Sequence, residues 1–185
     1  MRRLLPAVII LTAIYATGTF GSADAQVPYV QIYFDSNLHQ TTTRCTENAA
    51  YDTLHVVAHN MNADISSIEY RIHYTEWTVF LGDLLPPGAA SVGDSNQGIR
   101  ISYSSPLSVF APAVVQSVRI GWACNEECPL YDYGLIVQPH PESGKVVAHR
   151  WLGGTDIEAV GMASLLCGSV DTEERTWGRI KALYR

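Results

Sequence analysis

The 185-residue sequence carries no catalytic or cofactor motif. G-x-S-x-G is missing, and no set of His, Asp and Ser sits in a local context that exposes a nucleophile. The paired carboxylates Glu126-Glu127 and Glu173-Glu174 are chain neighbours, so they lack the opposed, fixed geometry that glycoside hydrolysis requires. Positive charge is scarce, with 12 basic against 18 acidic residues. That balance argues against nucleic acid or an anionic lipid surface as the main partner. Helical periodicity is almost absent before residue 171, which leaves no place for the helices of a βαβ fold. The near-continuous apolar stretch at residues 4–15 is too short to span a bilayer comfortably.

What is present begins with an export signal. Arg2 and Arg3 supply a positive start, the apolar stretch follows, and it fades into Thr, Gly and Ser rather than into a charged stop-transfer flank. Ala23-Asp24-Ala25 satisfies the small-x-small rule for cleavage. Residues 1–25 are therefore expected to be a signal peptide, and the mature chain to start at Gln26 and to be secreted, surface-displayed or periplasmic, with no transmembrane segment. Removing Arg2, Arg3 and Asp24 from the totals leaves 10 basic and 17 acidic residues, a mature charge of −7. The remaining 160 residues suit one domain with a real core.

All four cysteines, Cys45, Cys124, Cys128 and Cys167, lie in the exported part, and an even count in an oxidising compartment reads as two disulfides. Three connectivities are open. The C-x3-C spacing of Cys124 and Cys128 suits a local clip, which leaves Cys45 and Cys167 as a long staple. In the chain-entropy account the staple contributes about 4–5 kcal/mol and the clip about 2. Zinc is the competing chemistry, disfavoured because the spacing is not C-x2-C.

Period-two alternation recurs along the chain. Val30, Ile32 and Phe34 share one face of a first strand. Leu54, Val56 and Ala58 share another, opposite Thr53, His55, Val57 and His59. Over residues 68–74, Ile68, Tyr70, Ile72 and Tyr74 point one way and Glu69, Arg71 and His73 the other, one face core and one wet. Further strands are expected at 78–81, 99–104, 114–123, 131–138 and 145–152. Turn residues separate them at Pro86-Pro87-Gly88, Gly93-Asp94-Ser95-Asn96 and 140–144. Residues 156–167 fit neither period cleanly and are read as one last strand closed by Cys167. Eight or nine short strands without intervening helices predict an all-β, antiparallel sandwich over residues 26–170.

Candidate ligand chemistry is sparse. His55 and His59, with His73 on the next expected strand, are spaced too widely for one ion without a bend and read as polar surface residues. Asp94-Ser95-Asn96 and Asp35-Ser36-Asn37 resemble the start of a calcium loop. The twelfth position from Asp94 is Ser105 rather than Glu, so both read as Asx turns. No metal or other cofactor is expected. Aromatic side chains are more suggestive: Trp77, Tyr103, Tyr131, Tyr133 and Trp151 are candidates to stack on sugar rings from an exposed sheet face. Trp122 and Trp151 also alternate with apolar neighbours, a pattern that fits the core.

Residues 171–185 form a separate amphipathic tail. Asp171 or Thr172 can cap a short helix, Glu173 and Glu174 suit its first turn, and Arg179, Lys181 and Arg185 suit its end. Trp177, Ile180 and Tyr184 fall on one stripe, which needs a surface to bury against. That surface is either the chain's own domain or a docking partner.

The strand 30–35, the early Cys45, Ile68-Glu69-Tyr70, the Pro86-Pro87-Gly88 turn and the closing residues Trp177 to Arg185 together resemble a group of secreted bacterial proteins. Their domain is similar in plan to the cohesin-like and immunoglobulin-like sandwiches of cell-surface proteins. The resemblance spans most of residues 27–185 and implies a surface binding or structural role, with no catalytic residues to carry over. The resulting expectation is a non-catalytic module for binding or assembly, its partner a glycan, a cell-envelope component or another surface protein. The alternative is a secreted hydrolase whose site is assembled from distant strands. Three aromatics on one exposed strip favour the glycan; a cleft holding two carboxylates and a histidine favours the enzyme.

Overall fold

The computed structural model describes residues 26–43, 51–75, 78–122 and 134–166. The cysteines, Trp77, Tyr131, Tyr133 and the tail with Trp177, Ile180 and Tyr184 lie outside these residues, as does the expected C-terminal helix. Twelve strands and no helix make up the described part.

The expected alternation builds two sheets. In the first, β1 (Tyr29–Tyr33), β3 (Asp52–His59), β8 (Ala113–Trp122) and β5 (Thr78–Leu84) run antiparallel in the order β1-β3-β8-β5. In the second, β6 (Ala89–Asp94) pairs with β7 (Gly98–Ser108), and β7 pairs with the long β4 (Asp64–Tyr74). The other edge of β4 is shared: β10 (Val146–Arg150) covers its first half and β9 (Leu135–Gln138) its second. Between the sheets lies one apolar core in which Val30, Ile32, Leu54, Val56, Ala58, Ile68, Tyr70 and Ile72 are buried, the faces that alternation selected.

Three features depart from expectation. The closing segment is two strands, β11 (Ile157–Gly161) and β12 (Ala163–Leu166), rather than one. β11 joins the sheets, pairing antiparallel with β10 and parallel with β1, while β12 pairs antiparallel with β9 and parallel with β2 (Thr42–Thr43). The sandwich is thus mostly but not wholly antiparallel. The change of partner falls at Gly161, where a Cβ would collide with the Val137 carbonyl, so only glycine lets the chain cross there. β6 was not anticipated, because Ala-Ala-Ser-Val-Gly-Asp carries little strand signal. Glu69, assigned to a wet face, is only 4% exposed.

The opposite side of the sandwich is held by side chains. Asp83 on β5 accepts from the Ser95 backbone N–H (2.9 Å) and from Gln116 Nε2 (3.2 Å), and Ser95 Oγ lies 2.8 Å from the Tyr74 hydroxyl. Burial raises the Asp83 carboxyl above its ordinary range despite these hydrogen bonds.

Candidate functional site

The densest polar arrangement is on the outer face of β6-β7-β4-β10. Alternation sends Glu69 outward between Arg100 of β7 and Val147 of β10. Arg100 Nε donates to Glu69 Oε1 at 2.6 Å, and His149 Nε2 lies 3.2 Å from the same oxygen. His149 Nδ1 lies 2.8 Å from Asp156 Oδ1. The flanking side chains roof the carboxylate, which explains its burial. Burial would raise the Glu69 carboxyl, but the hydrogen bonds from Arg100 and His149 outweigh it and hold the carboxyl low. Burial would lower His149, but its bonds to Asp156 and Glu69 raise it. With a carboxylate oxygen facing each ring nitrogen, the protonated ring, which donates from both, is the form this geometry favours. A fourth pair, Lys145 Nζ to Glu158 Oε2 at 2.9 Å, extends the charged face.

Beside Arg100 lies a half-open depression of about 230 Å³, bounded by Val92, Gln97, His140, Pro141 and Glu142. The 139–145 loop builds its outer wall, pinned by His140 N–H donating to the Lys145 carbonyl (2.8 Å). Gly98 permits that contact: a Cβ there would meet Pro141 Cδ at 2.6 Å, and its φ of 138° favours glycine as well.

The outer face of the other sheet is different in kind. Tyr29 and His59 stack with centroids 4.3 Å apart and planes 5° apart. The Tyr33 hydroxyl reaches along the face to within 3.2 Å of His59 Nε2, so its ring covers Val57 between them. Burial lowers the His59 pKa below its ordinary value. Val160 and Met162 on one side, Val114 in the middle and Val79, Leu81 and Leu84 on β5 stand exposed.

Of the expected aromatic candidates, Tyr103 and Trp151 are described, and they occupy different environments. Tyr103 packs on the core and donates its hydroxyl to the Val115 carbonyl at 3.2 Å; Trp151 is 39% exposed in the turn after β10. Trp122 is partly buried against the core. The histidines are dispersed: His55 bonds Ser117 Oγ at 2.9 Å, His59 is under the aromatics, and His73 is on β4, in the other sheet. Among the described residues no group of three or more His, Cys, Asp or Glu is placed to hold a metal ion. In both Asp-rich segments the leading carboxylate binds backbone of its own turn: Asp94 Oδ1 accepts from Gln97 N–H, and Asp35 Oδ1 from His39 and Gln40 N–H.

The Glu69–His149–Asp156 arrangement was not found from sequence, because its members are up to 87 positions apart and join only through the β4-β10 pairing. It does gather two carboxylates and a histidine, although on a sheet face beside a depression rather than inside a cleft. Both His149 nitrogens face carboxylate oxygens and Glu69 Oε1 has two close partners, while Glu69 Oε2 is buried without one.

No protein-family model and no curated protein sequence matches the chain. Solved structures similar to the chain include two cohesins. A cohesin module from a family 33 glycoside hydrolase of Clostridium perfringens shares 8% identity at a TM-score of 0.50, over 76% of this chain and 97% of that one. A non-cellulosomal cohesin from the archaeon Archaeoglobus fulgidus shares 12% identity at a TM-score of 0.48, over 81% and 97%. The fold is therefore that of a cohesin-like β-sandwich.

Proposed function

We propose that the mature chain is a secreted or surface-displayed, non-catalytic module that works by binding a protein partner in an extracellular or periplasmic assembly. The observation that carries this reading is the locked charged face. Arg100, Glu69, His149 and Asp156 fix one another in a flat, preorganised pattern beside a half-open depression. Such a face offers complementarity to a polar protein surface at little cost in side-chain ordering. A glycan partner would call for exposed aromatic rings, and this face presents charges instead. Likeness of fold to cohesin modules is in keeping with an assembly role.

Glu142→Lys and Arg119→Glu give the test, since each sits on one of the two outer faces. Purified residues 26–185 are screened against glycans, cell-wall polymers and envelope proteins. The reading requires a protein ligand whose affinity falls about tenfold or more with Glu142→Lys and is unmoved by Arg119→Glu, a tenfold change being about 1.4 kcal/mol. Saturable binding to a glycan alone would replace the protein partner with a polysaccharide. Turnover of an ester or glycoside that disappears with His149→Ala would replace the module with the hydrolase.

A further inference from the structure

We infer that the depression beside Arg100 is a socket for a tyrosine side chain of the protein partner. The inference rests on the charged face being the binding face, and it names the group that face receives.

Size limits the guest first. Sites for drug-sized molecules run from about 300 to about 1,000 Å³ and enclose most of the ligand. A half-open depression of about 230 Å³ is smaller and suits one projecting side chain. The register that sets Val92 beside Arg100 puts both side chains on the outer face, where Val92 is 73% exposed. Val92 and Pro141 make apolar walls, so the body of the guest is apolar.

The floor calls for a hydrogen-bond acceptor. His140 is only 6% exposed, and its Nδ1 accepts from the Glu142 backbone N–H at 3.3 Å. A ring nitrogen that accepts carries no proton, so the proton of this ring is on Nε2. That nitrogen stands over Gly98, 3.1 Å from where a Cβ would lie, and among the described residues it has no acceptor. A nearly buried donor without a partner is costly until a guest supplies one.

Charge then removes the ionic guests. A carboxylate entering here finds Arg100 already paired with Glu69, and Glu142 in the wall. An ammonium meets the Arg100 guanidinium and the His140 N–H. What remains is a neutral side chain with an apolar body and an accepting tip. Phenylalanine has no polar tip, the indole N–H of tryptophan only donates, serine and threonine are too short to fill the space, and asparagine and glutamine lack the apolar body. Tyrosine joins the two, and its ring can stack on the guanidinium that Glu69 holds in place.

NMR titration of the mature chain with blocked peptides acetyl-Gly-X-Gly-amide, X being Tyr, Phe, Trp, Glu or Lys, reads the socket directly. The tyrosine peptide should shift the amides of Val92, Gly98 and Glu142 with a dissociation constant in the millimolar range, and the phenylalanine and tryptophan peptides should bind about fivefold more weakly. Equal binding of either, tighter binding of the glutamate or lysine peptide or of N-acetylglucosamine, or no shift at these amides overturns the proposal. Val92→Asp, on the exposed wall, should weaken the tyrosine peptide about tenfold, and an unchanged affinity overturns it as well. His140→Phe should bring tyrosine down to the level of phenylalanine; a tyrosine preference that survives it takes the donor out of the socket and sinks the assignment. A protein ligand that responds to Glu142→Lys while the tyrosine peptide leaves Val92 and Gly98 unshifted would keep the binding face and overturn the socket alone. Tyrosine binding at these amides with no protein ligand in the screen would do the reverse.

Discussion

The two outer faces of this sandwich are built by the same alternation and end up chemically opposite. On β4 and its neighbours, outward positions hold Glu69, Arg100 and His149, which lock one another; on β1 and its neighbours they hold Tyr29, Tyr33, Val57 and Val114, with Arg119 as the isolated charge. The difference teaches that an outward position is not the same as a wet one. Glu69 and Val57 are both outward and both buried, one under a cation and an imidazolium, the other under a tyrosine ring.

Removing one partner from the charged face should have the largest effect. Arg100→Ala removes the closest donor to the buried Glu69 carboxylate together with part of its roof, and the melting temperature is expected to fall by about 5–10 °C in calorimetry. A fall of less than about 2 °C would show that the network is ornamental to the fold and the contrast between the faces overstated.

On the apolar face, Tyr33→Phe keeps the ring over Val57 but removes the hydroxyl near His59. The expected loss is about 1 kcal/mol, or about 2–4 °C. A neutral outcome would mean that ring burial alone holds the aromatic cluster.

The charged face should also impose a pH dependence of opposite sense to that of His59 on the other face, whose lowered pKa makes acid, not alkali, unfavourable. His149 is raised above its ordinary value of 6.5, so its contribution is complete below that value and is lost as pH rises through the raised one. Glu69 is lowered from its ordinary 4.5, so its contribution is present above that value and is lost as pH falls through the lowered one. Melting temperature against pH should therefore have its network contribution complete between those two ordinary values. His149→Gln should flatten the alkaline limb, and an unchanged limb would separate His149 from the network.

The smallest effect belongs to Arg119→Ala. Exposed and in none of the ion pairs among the described residues, Arg119 should change the melting temperature by less than about 2 °C on substitution. Thermal scans of Arg100→Ala and Arg119→Ala side by side express the contrast between the faces as one number.

Much of the fold was legible in the residues. The inward sets Val30-Ile32, Leu54-Val56-Ala58 and Ile68-Tyr70-Ile72 followed from alternation, because a strand has a period of two wherever it pairs. The turns at Pro86-Pro87-Gly88 and Asp94–Gly98 followed from residues with local conformational preferences. The charged face was not legible. Alternation puts Glu69 with Arg71 and His73 on a wet face, and nothing in the residues around His149 marks it as a partner for Glu69.

The sequence by itself determined which residues of each strand turn inward and where the chain reverses, since both depend on neighbours within a few positions. Tertiary structure alone decided which strands lie side by side. Pairing β4 with β10 brings Glu69 to His149 across 80 positions, and pairing β11 with both β10 and β1 closes the sandwich in a parallel sense that no local pattern encodes. Those choices depend on how whole sheets fill one core, so the chemistry of an outer face, assembled from three or four strands at once, is fixed only when the strands are in place.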